Sequence, residues 1–214
     1  MEREKLSLTT SHHELLRLGL AVGLEAASNR LAETPAAATR IELQAVTRSA
    51  ICDLDLEQVS HGLSGDVIAA VVQRFHGHPS GTALFALEPS DALLWLQRGD
   101  SDDDPLGCFV DWGSRVIAGV IETLAKAWES EVELLEPRLE ERSLMAALLG
   151  THAPGDTVVL SLHGELGFSI AELGSRPELT APFSIHVLLE PKLVDGILSR
   201  LACQADPGEE DAVL

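Results

Sequence analysis

Hydrophobic positions recur with helical spacing from Ser11 to about Glu33. Leu15, Leu18, Val22 and Ala26 form one stripe there, and Leu16, Leu20, Leu24, Ala27 and Leu31 form a second. Ser11 with Glu14 three residues on has the pattern of a capping box. After a turn-like Thr34-Pro35-Ala36, the residues Arg40–Cys52 alternate in part between apolar and polar and predict a strand, followed by a short helix at Asp55–Leu63. Two apolar runs, Asp66–Phe75 and Thr82–Leu87, flank His76-Gly-His-Pro-Ser-Gly81, a strong turn signal. Pro89 suits the first turn of a helix that ends near Arg98.

Past an acidic connection at 99–107 the order begins again. A long helix is expected from about Cys108 to Glu129, then a strand at Val132–Leu135 and a short helix at Glu140–Leu149. Strands follow at Thr157–His163, Leu166–Ala171 and Phe183–Leu189, and a last helix from Pro191 to Leu201. One local signature recurs. Leu87-Glu88-Pro89 with Leu96-x-Arg98 is matched 102 residues on by Leu189-Glu190-Pro191 with Leu198-x-Arg200. Each copy stands at a strand-to-helix junction, which points to a duplicated α/β unit with repeats at about 11–98 and 108–202. Two unrelated turns that each use Pro at a helix start are the plainer alternative.

Composition narrows the function classes. The chain has 214 residues, one domain by size, and is 45% hydrophobic but only 4% aromatic, with no Tyr, so its core is aliphatic. Its 15 Lys and Arg stand against 34 Asp and Glu, a net charge of −19 that repels phosphate backbones and anionic lipid. Nucleic acid and membrane are excluded as first partners. With no apolar leader and no membrane-length run, the expected location is the cytoplasm. Cys52, Cys108 and Cys203 are widely spaced and odd in number, which predicts buried free thiols. The acidic end, 203–214, is expected to be disordered.

Most catalytic constellations are missing. His76 and His78 share a turn but lack a third metal ligand at convincing spacing, and His12-His13-Glu14 lacks the second His of a zincin helix, so no metal site is expected. There is no Gly-x-Ser-x-Gly elbow. The three lysines, Lys5, Lys126 and Lys192, belong to no phosphate-binding loop.

The second long helix carries Asp111-x-x-Ser114, and twenty-two residues separate Ser114 from Pro137. Together with the repeated element order, this resembles the CheC/CheX/FliY family of chemotaxis phosphatases over about residues 11–202. The resemblance implies a fold class of α/β (α+β) type: a pseudo-two-fold duplicated unit with one continuous, mainly antiparallel sheet and two long helices on one face. In that family the helix carries an acid, two residues and an Asn, with an Asp or Ser often four positions before the acid. Here Asp replaces Glu at 111, Ser114 replaces Asn, and Gly107 takes the upstream position. In the first half Arg17, Leu20 and Leu43 fall where the acid, Asn and Pro belong, so that site is lost. Glu25 and Asn29 lie lower on the same helix at the wrong spacing.

The resemblance implies action on the phospho-aspartate of a CheY-like receiver domain. Asp111 and Ser114 would be catalytic, and Arg115, Ala118 and Pro137 would border the partner. No cofactor is expected beyond the Mg²⁺ that the receiver brings. Such chemistry needs one water placed in line with the phosphorus–oxygen bond. Residues three apart share a helix face, and Ala118 and Ala125 are small enough to admit a partner. Losing part of an orienting contact costs about 2–4 kcal/mol, or about 10²–10³ in rate, so the expected phosphatase is weak. The competing expectation is an inactive module that binds a receiver or docks a CheD-like deamidase. Asp111 can also simply pair with Arg115, and Trp112 is expected to pack in the core. Exposed sheet edges leave a homodimer open.

Overall fold

The computed structural model describes residues 10–31, 38–64, 66–77, 79–96, 104–151, 153–169 and 178–197. Helix α1 (Thr10–Leu31), strand β1 (Ala38–Ala50), a single 3₁₀ turn at Ile51–Asp53 and α2 (Leu56–Ser60) lead into the hairpin β2 (Ile68–Gly77) and β3 (Gly81–Leu87), then α3 (Pro89–Leu96). The second half runs α4 (Pro105–Trp128), β4 (Val132–Leu134), β5 (Arg138–Arg142), α5 (Leu144–Leu149), β6 (Val158–Ser169) and β7 (Glu178–Leu189). A last helix, α6, covers 191–197.

All strands join one antiparallel sheet in the order β1-β6-β7-β3-β2-β4, with β5 beside β4 on the same edge of β2. Exchanging β1 with β4/β5, β2 with β6, and β3 with β7 reverses this order and leaves it unchanged. The register agrees with the recurring sequence signature. Leu84 pairs directly with His186, residues 102 apart, so this pair sits on the pseudo-two-fold axis. On either side of it, Thr82↔Leu188 and Ala86↔Ser184 exchange under the same rotation.

The sheet is buried on both faces, which explains why β2 and β3 read as continuous apolar runs. Phe85, Leu87, Phe183, Ile185 and Val187 face one layer, built from Leu16, Leu20 and Leu24 of α1 and Val116, Ile117, Val120 and Leu124 of α4. Leu84, Ala86, Ile68, Val72 and Val159 face the other, covered by Val59 of α2 and by Leu144 and Leu148 of α5. The long helices also pack on each other. A Cβ on Gly23 would lie 2.1 Å from Thr123 Oγ1 and 2.9 Å from the Gly119 carbonyl oxygen, so glycine here permits the close approach of α1 to α4.

Several expectations need correction. Residues 138–142 form a strand, because their backbone pairs with Ile68–Val72 at the sheet edge, and the following helix starts only after Ser143, whose hydroxyl caps Ala146 N–H. The two strands expected at 157–171 are one, β6, which runs through Gly164, where any Cβ would meet the Glu42 carbonyl oxygen at 2.1 Å. On α1, among the described side chains, Leu16, Leu20 and Leu24 of one stripe are buried, and Leu18 and Val22 of the other are 52% and 65% exposed. Ser11 lies inside α1, and Glu14 pairs with Arg17, so no capping box forms there. Helix α4 begins at Pro105, with Asp104 as its cap, and so takes in the end of the expected acidic connection. Cys52 is exposed, and Cys108 half-buried. The turn at Thr34–Ala36, residues 99–103, His78, Arg98, Leu201, Cys203 and the acidic end lie outside the described residues. No described helix is long and apolar enough to cross a membrane.

The α2/α5 face also holds a buried polar strip. His186 receives Ser161 Oγ at 2.8 Å on Nδ1 and Ser184 Oγ at 3.0 Å on Nε2, which suits a neutral ring with one serine donating and the other accepting. Burial, and then the neighbouring His163, push the His186 pKa down to about 3; burial, and then His61, push His163 down to about 4. The unfolded chain protonates both rings near their ordinary 6.5, so below that pH it binds more protons than the fold. Their contribution to stability is therefore complete above about pH 6.5 and shrinks as pH falls toward 4 for His163 and 3 for His186. Each ring changes stability by about 1.4 kcal/mol per pH unit inside its window. Urea denaturation at a series of pH values should show a plateau above pH 7 and a decline through pH 6 and 5. A flat profile across that range would mean that both rings charge freely in the fold.

Candidate functional site

Helix α4 exists where it does because Asp104 accepts the Gly107 N–H at 2.9 Å and Pro105 occupies its first turn. The cap explains the glycine at 107: a Cβ there would lie 2.2 Å from Asp104 Oδ2. The position four before Asp111 therefore carries no side chain, and the cap closes tightly over it. One turn on, Phe109, Trp112, Gly113 and Val116 turn into the core, with Trp112 edge-on to Phe85 at 4.9 Å between ring centroids. Gly113 is needed for this seat, since its Cβ would fall 2.6 Å from Val71 Cγ2.

The opposite side of the same turns carries the predicted site residues. Asp111 is exposed and Ser114 half-buried. Arg115 reaches Asp111 Oδ2 with both Nε at 3.0 Å and a terminal nitrogen at 2.9 Å. This is an ordinary surface i,i+4 pair worth a few tenths of a kcal/mol, roughly. It leaves the carboxylate accessible but already engaged. Ala118, next along this side, is half-buried and Arg115 exposed, whereas Ala125 is buried and does not open toward a partner as expected.

Ser114 has a partner that spacing along the helix did not foretell. Its hydroxyl donates to Gln73 Oε1 at 3.0 Å, and Gln73 Nε2 donates to the Leu135 carbonyl at 2.7 Å. Leu135 N–H in turn donates to the Arg74 carbonyl at 2.9 Å. The two bonds of Gln73 fix which end of its amide faces Ser114. The buried amide thus ties the outer side of α4 to the break between β4 and β5, and Pro137 is the half-buried second residue beyond that tie. The relay joins Ser114 to Leu135, two residues before Pro137, through one buried side chain of β2. The signal in the sequence was a lone uncharged amide inside the apolar run Ala69–Phe75.

In the first half the corresponding positions carry different chemistry. Arg17 binds Glu14 at 2.6 Å on the surface of α1, Leu20 is buried against α4, and Leu43 is buried in β1. Glu25 is exposed, and the side chain of Asn29 is outside the described residues. His76 is exposed at the end of β2. Among the described residues no three His, Cys, Asp or Glu side chains gather in a metal-binding group.

Comparison with solved structures follows from this architecture. FliY of Thermotoga maritima superposes with a TM-score of 0.62 at 11% identity, covering 93% of this chain and all of that one. The FliM middle domain of H. pylori gives 0.57 at 13% identity, covering 90% and 99%. This is the CheC/CheX/FliY fold. A CheX from Desulfovibrio desulfuricans gives 0.48 at 11% identity over 82% and 99%. No family model and no curated protein matches the sequence. The expected fold class, a mixed α/β unit with a large antiparallel sheet and two long helices on one face, is the one observed.

The relay makes a stability prediction. Ser114→Ala strips a buried amide oxygen of its donor and should cost about 1–3 kcal/mol. Asp111→Ala removes only a surface pair and should cost less than about 0.5 kcal/mol. Chemical denaturation of both variants checks the ordering, and equal costs would contradict the relay.

Proposed function

We propose that this chain is a chemotaxis-type signalling protein that docks a phosphorylated CheY-like receiver domain on the outer side of α4 and hydrolyses its phospho-aspartate slowly. The observation that carries the reading is the juxtaposition of Asp111 and Ser114 one turn apart on an accessible helix side, with the Leu135–Pro137 corner drawn to Ser114 through Gln73. Asp111 supplies the charge that orients a basic receiver side chain, and Arg115 and Ala118 border the contact. The Mg²⁺ belongs to the receiver, not to this chain.

The reaction asks little of the phosphatase beyond placing a water opposite the acyl oxygen. Water adds to phosphorus, the phosphorus–oxygen bond to the aspartate breaks, and the carboxylate leaves with inorganic phosphate. An amide at position 114 could accept from that water and donate to a phosphoryl oxygen. Ser114 gives its one proton to Gln73, so its lone pairs alone remain to hold the water. That observation supports low turnover, and it equally favours a second reading in which the chain binds a receiver, or a CheD-like deamidase, without any turnover.

Decay of a phosphorylated receiver in Mg²⁺ separates the readings. Under the first, the protein accelerates decay, Asp111→Ala removes the acceleration, and Ser114→Asn increases it by about 10²–10³, the scale of one orienting contact. Binding of the phosphorylated receiver with unaltered decay supports the second. Absence of both binding and acceleration overturns the proposal.

A further inference from the structure

The last two turns of α4 and the short strand β4 enclose a groove of about 540 Å³ at one edge of the sheet. Its walls include the apolar Ile121 and Ala125 of α4 and Val132 and Leu134 of β4, with Lys126 and Glu131 exposed on its rim. Among the described residues β4 pairs only with β2, so its other side is open. The register decides which groups that side presents. Leu135 lies opposite Arg74 and donates to its carbonyl at 2.9 Å, so Leu135 and Glu133 turn their backbone groups toward β2. Val132 and Leu134 therefore turn their N–H and C=O groups outward. Their side chains pack on the α4 side of the sheet, and Glu133 is exposed on the other.

Charge decides what fits there. Glu131, Glu133 and Glu136 form no ion pair among the described residues, whereas Glu140, further along the same edge, is held by Arg138 and Arg142. Two β4 strands from two copies of the chain would bring these carboxylates together, which opposes self-pairing. We propose that β4 and its groove accept an extended basic segment of a partner protein, one in which apolar residues alternate with Lys or Arg. The segment adds to the sheet as a further strand, with its backbone bonded to Val132 and Leu134. Its apolar side chains enter the groove beside Ile121 and Ala125, and its cations lie along Glu133 and the neighbouring carboxylates. The groove begins about two turns beyond Ser114, and the inference does not rest on receiver docking.

A short capped peptide of alternating lysine and valine is the probe, and its control has the same composition with the lysines in one block. Fluorescence anisotropy with the full chain should show saturable binding, at least about tenfold tighter for the alternating peptide. In that complex, hydrogen exchange at the Val132 and Leu134 amides should slow by at least about tenfold. Glu133→Lys should weaken binding by at least about tenfold, and Glu57→Lys, an equal charge change on the opposite face of the sheet, by less than about twofold. Leu134→Pro removes an outward N–H and leaves the ladder to β2 intact, so with its fold checked by circular dichroism it should abolish the preference for the alternating peptide. No saturable binding, equal affinity for the two peptides, equal weakening by the two lysine variants, or unchanged exchange at Val132 and Leu134 would overturn the site. A dimer of the free chain that Leu134→Pro dissociates would do the same by giving the edge to a second copy.

Discussion

The pairing of β3 with β7 is the constraint on which the molecule rests. It joins the half α1-β1-α2-β2-β3-α3 to the half α4-β4-β5-α5-β6-β7-α6 in one sheet, and Leu84↔His186 at its centre fixes the relation between them. Because the junction is covered on both faces, by α1 and α4 on one side and α2 and α5 on the other, its backbone hydrogen bonds are kept from water. A slip of one residue would turn Phe85 and Ile185 away from the α4 layer and carry Leu84 and Ala86 into it. The position of α4, and so of everything on its outer side, follows from this register.

From that frame the two halves diverge. In the first, Leu20 and Leu43 are core, and the outer side of α1 carries an Arg17–Glu14 pair beside exposed Leu18 and Val22. In the second, two outward polar side chains of α4 are committed, Asp111 to Arg115 and Ser114 to Gln73. A site whose groups are engaged at rest can still dock a partner, since a surface ion pair is readily exchanged. Transferring a proton or orienting water asks more, because the Ser114–Gln73 bond is half-buried and linked onward to Leu135.

Much of the fold was legible because its signals are local. The amphipathic period of α4, the prolines at 89 and 191, and the turn before Gly81 each mark an element without reference to the rest. Other features are tertiary by nature. Residues 138–142, Arg-Leu-Glu-Glu-Arg, have no strand-like alternation and become β5 only because β2 offers an unpaired edge. Helix α1 has two apolar stripes, and only contact with α4 at Gly23 decides which is buried. In the site, the spacing from Asp111 to Pro137 could be read along the chain. Gln73, forty-one residues before Ser114, could not. The histidine strip was likewise hidden, since His61, His163 and His186 are scattered in sequence and converge through β6–β7 pairing and the turn after α2.

The central claim is that partner contact occurs on the outer side of α4. A photo-crosslinking amino acid placed at Arg115 tests it directly, with exposed Leu149 on the opposite face as the control position. The account predicts a crosslink from 115 to a phosphorylated receiver domain, weaker with the unphosphorylated form, and none from 149. A crosslink from 149 with none from 115 would contradict it.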